Sequence, residues 1–223
     1  MFDYLKSKSI IVNEYPIVGY IDDFATEDEC TQIIELAKPK FVRSVVMGEN
    51  GSISELDNRR TSSNTFLDNV SLSIPRQITE RISDYVGFPA SHAEQLSVLE
   101  YQIGQEYQPH YDGFDMSTKS GYVACRDGHQ RIFTALLYLN TPDGGGETTF
   151  PNLHTKIEAV TGRLAFFSNI RETLDDRPNE TLHGGAPVTA GVKYAATLWF
   201  HVRPRTEKYE LPCESPALMP HWV

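Results

Sequence analysis

The segment Glu106-Tyr107-Gln108-Pro109-His110-Tyr111-Asp112 sets an imidazole and a carboxylate two positions apart. On extended chain, residues i and i+2 point the same way, roughly 6.6–7 Å apart. His110 and Asp112 can therefore offer two donors to one metal ion. His183, in Thr181-Leu182-His183-Gly184-Gly185, is a candidate for the third. Two imidazoles and a carboxylate on one side of a metal leave its other positions open for reactants. The His-x-Asp pair alone is a weak signal, since such pairs are common on surfaces and in turns. Histidines also stand at 92, 129, 154, 201 and 221, so the residue type is not scarce.

A buried cation near such a site would hold an anionic reactant. Lys193 opens the apolar run Lys193-Tyr-Ala-Ala-Thr-Leu-Trp-Phe-His201. Strand alternation puts Lys193, Ala195, Thr197, Trp199 and His201 on one face, and Tyr194, Ala196, Leu198 and Phe200 on the other. A lysine on a buried face is costly unless it meets an anion. The alternative is a lysine at a strand end that reaches water.

These residues need a scaffold, and the pattern of the chain supplies one. A helix is predicted over Thr26–Lys38, where Thr26 and Glu29 have capping-box spacing and Cys30, Ile33, Ile34 and Ala37 form one apolar stripe. Pro39 stops it. A second helix is predicted over Ser73–Val86, with Ser73 as its cap, Pro75 in its first turn and Gly87 at its end. Ile74, Ile78, Ile82 and Tyr85 share a face. From about Gln95 the chain turns β-rich: Leu96–Ile103, Arg131–Leu139, Glu147–Phe150, Arg163–Phe167 and Lys193–Val202 are short strand-like runs. Helices packed on an antiparallel sandwich or barrel follow from this order. Polar segments at 48–64, 114–130 and 169–181 interrupt it and are candidate functional loops.

Composition excludes several function classes. The 223 residues include 20 Lys+Arg and 30 Asp+Glu, a formal net charge of −10. That balance argues against gripping nucleic acid or an anionic membrane by bulk charge. A hydrophobic fraction of 40% is enough for a real core. Cys30, Cys125 and Cys213 make neither a disulfide framework nor a zinc ribbon. The first ten residues lack a basic stretch followed by a long apolar run, and no segment approaches the roughly 20 apolar residues of a membrane span. The expectation is a cytoplasmic protein with no nucleic-acid or membrane partner. Oligomeric state has no sequence signature here.

Five motifs together, RTSSNTFL at 60–67, LEYQIGQEYQPHYD at 99–112, RIFTALLYLN at 131–140, GGGETTFP at 144–151 and LHGGAPVTAGVKYAATLWFH at 182–201, resemble the prolyl 4-hydroxylase family. The N-terminal EYPIVGYIDDFATEDECTQIIELAKP is similar too. Those enzymes are 2-oxoglutarate- and Fe(II)-dependent dioxygenases. The resemblance implies a mainly β (α+β) fold, a double-stranded β-helix or jelly roll with supporting N-terminal helices. It implies one catalytic domain over 1–223: helical support at about 14–92, a jelly-roll core at about 93–205 and a tail at 206–223.

By the same resemblance His110, Asp112 and His183 bind Fe(II), and Lys193 binds the distal carboxylate of 2-oxoglutarate. Tyr101 and Thr148 are hydroxyl partners of that co-substrate, and Thr197 assists. Tyr107 sits over the substrate proline and Arg131 binds the peptide backbone; these two are the catalytic candidates. Tyr138, Trp199 and His201 complete the mouth. Arg131 and Tyr138 have opposite strand parity, so a bulge must reconcile them if both line the site. The competing reading for Arg131 is a pair with Asp127 that steadies the fold. O2 and ascorbate are implied as co-substrate and reductant. The expected substrate is a proline-containing peptide or protein, and the segment at 48–60 is expected to close over it. Rivals are the same chemistry on free proline or another small molecule, a non-catalytic metal-binding sandwich, and a zinc hydrolase using Glu106 or Glu147 as base.

Overall fold

The computed structural model describes residues 8–46, 57–125 and 129–205. Helix α1 (Glu27–Ala37) starts on a complete capping box: the Thr26 hydroxyl accepts from the Glu29 N–H, and the Glu29 carboxylate accepts from the Thr26 N–H. Glu27, Asp28 and Glu29 crowd its first turn, where the helix dipole favours negative charge. Helix α2 (Ser73–Val86) ends as expected on Gly87, at φ 78°, whose N–H bonds Ser83 O. Its start differs from expectation. Ser73 is already helical, and Leu72 holds the cap position without a side-chain bond. Asp68 instead accepts from the N–H groups of Val70 and Ser71 and turns the chain just ahead.

Eight strands form the major sheet. They are β1 (Ile10–Glu14), β2 (Ile17–Ile21), β3 (Val42–Arg43), β4 (Ser63–Leu67), β5 (Leu96–Tyr101), β7 (Arg131–Tyr138), β11 (Leu164–Ser168) and β14 (Lys193–His201), in the order β1-β2-β11-β7-β14-β5-β4-β3. Every pairing is antiparallel. A minor sheet runs β10-β9-β12-β6, from Thr155–Ile157, Thr148–Phe150, His183–Gly185 and Tyr107–His110. Two short strands, β8 (Gly144–Gly145) and β13 (Val188–Ala190), pair beside them. The two sheets face each other as a double-stranded β-helix.

Strand alternation divides the core in two. On the outer face of the major sheet, Leu137, Phe166, Ala196 and Leu198 pack against Ile33 and Ala37 of α1 and Ile78 and Ile82 of α2. On the inner face, Val18, Leu136, Ala165 and Phe167 pack against Phe150 and Ile157 of the minor sheet. The helices thus stiffen one side of the sheet and leave the other for the site.

The N-terminal part is not simply helical support. Four of its segments, β1 to β4, extend the major sheet at both edges. All four are short; β1 is largely half-exposed and β3 has only two exposed residues, so no alternation marked those edges. The polar segment at 114–130 contains a short helix, α3 (Lys119–Cys125). Residues 47–56 and 206–223, which hold most of the expected closing segment and the tail, lie outside the described residues. Among the described residues no helix is long and apolar enough to cross a membrane.

Candidate active site

The minor sheet brings the two histidines together. His183 on β12 is the register partner of His110 on β6. The two strands approach so closely that a Cβ at Gly184 would sit 2.9 Å from Tyr107 O, which explains the glycine after His183. Each imidazole has its Nδ1 against a backbone carbonyl two residues earlier: His110 on Gln108 O and His183 on Thr181 O, both at 2.9 Å. A carbonyl only accepts, so Nδ1 carries the proton and Nε2 presents its lone pair.

Asp112 completes the cluster. Oδ1 lies 3.5 Å from His110 Nε2, and Oδ2 lies 3.5 Å from His183 Nε2. The ligand atoms of all three residues fall within 4.8 Å of one another. Burial opposes ionisation of Asp112, but His183 and His110, charged in the acid range where it titrates, hold its carboxyl well below the usual range. Burial drives His183 the other way, down to about 4. Two imidazoles and one carboxylate, with lone pairs converging, are a fitting donor set for a divalent iron.

An inner chamber of about 50 Å³ extends from this cluster between the sheets. Leu99, Leu136, Phe167 and Ala195 supply apolar wall, while Tyr101, Thr148, Lys193 and Thr197 bring polar groups to it. Lys193 is the register partner of Tyr101 on β5. Lys193 is 2% exposed, and its ammonium lies 5.0 Å from the Tyr101 ring and 5.5 Å from the Tyr138 ring. Among the described residues no carboxylate lies within ion-pair distance of it. Burial lowers its pKa to about 8, with the Glu147 charge pulling the other way. A buried ammonium among aromatic faces is a seat for a carboxylate of a ligand.

The outer end opens into a groove of about 850 Å³, lined by Arg60, Phe66, Ser97, Tyr107, Arg131 and Trp199 among others. Tyr107 stacks on His110, with centroids 3.5 Å apart, and Arg60 covers the tyrosine at 4.9 Å. Arg131 stands over Trp199 at 3.9 Å. The expected bulge is present: Phe200 faces Phe133, yet His201 faces Arg131, so Ile132 is the extra residue. It turns Arg131 to the inner face with Thr134 and Leu136.

Three expectations for the mouth change. Tyr138 is fully buried and lines neither cavity; its hydroxyl donates to Thr148 Oγ1 at 2.7 Å, behind the chamber. His201 lies past the bulge, is 1% exposed, and pairs with Glu94 Oε1 at 2.7 Å instead of facing the groove. Arg131 does have a carboxylate partner, but it is Glu94, held by two bonds; Asp127 lies outside the described residues. The bases considered for a zinc hydrolase are also out of place. Glu147 pairs with Lys156, and neither Glu147 nor Glu106 lines the chamber or the groove. Sequence reasoning passed over Arg60, Glu94, Thr134 and Asn169. Only Thr134 carried a signal, its inward parity on β7.

The 2OG-Fe(II) oxygenase superfamily model matches residues 96–201, which hold the whole cluster and Lys193. Prolyl 4-hydroxylase 5 of Arabidopsis thaliana is 40% identical, over 86% of this chain and 70% of that protein. The chain belongs to the prolyl 4-hydroxylase family of 2-oxoglutarate- and Fe(II)-dependent oxygenases. A second Arabidopsis relative, probable prolyl 4-hydroxylase 3, is 37% identical over 81% of this chain and 67% of its own. The viral collagen prolyl hydroxylase of Paramecium bursaria Chlorella virus-1, solved with 2-oxoglutarate, superposes with a TM-score of 0.66 at 29% identity, covering 82% of this chain and 95% of that one. A prolyl hydroxylase from Trichoplax adhaerens, solved with a peptide fragment, shares the fold at 20% identity and a TM-score of 0.62, covering 90% of this chain and 91% of that one. For a prolyl 4-hydroxylase family member the convergent donors fit Fe(II), and 2-oxoglutarate is the co-substrate.

Proposed function

We propose that this oxygenase hydroxylates a prolyl residue of a peptide or protein, giving 4-hydroxyproline, succinate and CO2. The observation that carries this reading is the junction of two spaces. A narrow chamber with a buried ammonium meets a wide groove at the His110-Asp112-His183 cluster, and Tyr107 and Trp199 line both. A free amino acid would leave most of that groove unfilled.

Fe(II), held by His110, Asp112 and His183, supplies the activation of O2 and the oxidative decarboxylation of the keto acid. The protein's part is binding, orientation and exclusion of water. Lys193 takes the distal carboxylate of 2-oxoglutarate, with the Tyr101 and Thr148 hydroxyls as neutral partners and Thr197 on the same strand face. Burial pushes the Tyr107 phenol up to about 12, so it stays a hydrogen-bond donor over the substrate proline. Arg131, steered by Glu94, turns its remaining donors toward peptide carbonyls, and Trp199 beneath it forms the floor. Tyr138 acts from behind by aiming Thr148.

Ascorbate is the proposed reductant that keeps the iron ferrous. A cytoplasmic setting suits Cys30 and Cys125, which are both free and buried. The catalytic unit is proposed to span the whole chain. The test is mass spectrometry of a proline-peptide panel after incubation with Fe(II), 2-oxoglutarate and ascorbate. Gain of one oxygen on proline, with matching succinate, is expected. Turnover of free amino acids alone would overturn the peptide reading.

A further inference from the structure

We infer that Thr134 and Asn169 are positioning residues for the metal: a one-way hydrogen-bond relay, Asn169 to Thr134 to Asp112, fixes how the carboxylate faces the two imidazoles. The inference rests on the Fe(II) reading of the cluster.

Thr134 Oγ1 lies 2.8 Å from Asp112 Oδ2, and Asn169 Nδ2 lies 2.8 Å from Thr134 Oγ1. Thr134 and Asn169 are each 1% exposed, so bulk water does not compete for these bonds. The direction follows from chemistry. An ionised carboxylate can only accept. Thr134 therefore spends its single hydroxyl proton on Asp112. Its oxygen is left as an acceptor, and the neighbour must present a donor, which is the Asn169 amide. With that amide in place, the hydroxyl cannot rotate toward Asn169 without setting two donors face to face.

Asn169 is itself tied down. Its backbone N–H bonds Ile132 O at 2.9 Å, beside the bulge, while its side chain reaches Thr134 two residues further along β7. The strand that delivers it is in register, with Ser168 opposite Phe133. Gly113, next to Asp112, packs under the Asn169 carbonyl, where a Cβ would sit 3.0 Å from the oxygen. The major sheet thus holds one oxygen of a ligand whose two histidine partners belong to the minor sheet. Partners of this kind commonly tune metal affinity, and the carboxylate should keep its orientation before metal arrives.

The test is equilibrium binding of ferrous ion alone, under anaerobic conditions, to protein without 2-oxoglutarate or peptide. Thr134→Val removes the donor at near-constant volume and should weaken binding roughly 10–100-fold. Thr134→Ser keeps the hydroxyl and should bind like the parent. Asn169→Ala frees the hydroxyl to turn away and should fall between them. The double variant Thr134→Val/Asn169→Ala should bind no more weakly than Thr134→Val, because without the hydroxyl Asn169 has no route to Asp112. Asn169→Asp puts an acceptor where the relay needs a donor, so the Thr134 proton turns away from Asp112; it should bind iron more weakly than Asn169→Ala. Parent-like binding by Thr134→Val, loss in Thr134→Ser equal to that in Thr134→Val, or additive losses in the double variant would overturn the relay. Circular dichroism of the metal-free variants checks folding. If Thr134→Val does not fold, the order of Asn169→Asp and Asn169→Ala decides, and equal affinities overturn the relay. Failure of the parent itself to bind ferrous ion would instead remove the Fe(II) reading, so the two failures are distinct.

Discussion

Arg131 donates to both oxygens of Glu94, Nε to Oε1 at 2.6 Å and NH2 to Oε2 at 3.1 Å. This bidentate pair is mostly buried, and its guanidinium lies over Trp199. Removing one member strands the other's charge, which typically costs about 3–5 kcal/mol. Arg131→Ala should therefore lose stability as well as peptide turnover. Arg131→Met with Glu94→Gln should recover much of the stability but not the peptide affinity. Denaturant titrations beside peptide KM measurements separate the two effects. If the double variant regained normal KM, Arg131 would be a structural residue only.

The same pair has a pH signature. Burial alone would raise the Glu94 pKa, but Arg131 and His201 outweigh it and bring it to about 2, from an ordinary 4.5. A depressed carboxylate contributes stability that is complete above its unfolded pKa and is lost as pH falls toward the folded value. The stability gap between the parent and Glu94→Gln should thus be full at pH 6 and close between about pH 4.5 and 2. Urea denaturation at pH 6 and pH 3 checks this; a gap of equal size at both would contradict it.

Lys193 has the opposite profile. Its pKa of about 8 lies below the ordinary 10.5, so charging it in the empty chamber works against folding at pH 7, and that cost fades between pH 8 and 10.5. Lys193→Met should be more stable than the parent at pH 7 without co-substrate, while losing most 2-oxoglutarate affinity. In the parent, a bound carboxylate favours the ammonium, so above pH 8 binding takes up a proton. Apparent affinity should then fall by up to about tenfold per pH unit. Calorimetry with Zn(II) in place of iron, from pH 7 to 9.5, measures both affinity and proton uptake. A flat profile would place the anion seat elsewhere.

Replacing His110, Asp112 or His183 by Ala removes one of three protein ligands. Each variant should lose iron binding and succinate formation together, measured by anaerobic titration and product assay. Full activity in any one would take that residue out of the cluster.

Tyr138→Phe removes only the hydroxyl that donates to Thr148. A loss of about 1 kcal/mol in stability and a severalfold rise in 2-oxoglutarate KM are expected, with peptide KM unchanged. A rise in peptide KM instead would return Tyr138 to the mouth.

Local physics explains which parts of this molecule were legible in its sequence. Thr26 and Glu29 bond within one turn of helix, so their spacing alone revealed the cap. The alternation over Lys193–Trp199 was readable because one face of that strand is chamber and the other is helix-packed core. His201 keeps that parity, opposite Arg131, but its imidazole is spent on Glu94 rather than on the groove, which alternation does not reveal. Glu94 left no trace, since its link to Arg131 spans 37 positions and depends on tertiary folding. Strands β1 and β3 were missed because edge strands hold together by backbone pairing, which side-chain patterns do not encode.

The cluster sits across a seam. His110 and His183 are neighbours on the minor sheet, while Asp112 is bonded to Thr134 on the major one. An ion that draws these three together acts as a rivet between the layers at the open end of the sandwich. Iron supply then becomes a mechanical variable for this protein as well as a chemical one, since a chain starved of metal lacks the fastener that resists spreading of its mouth.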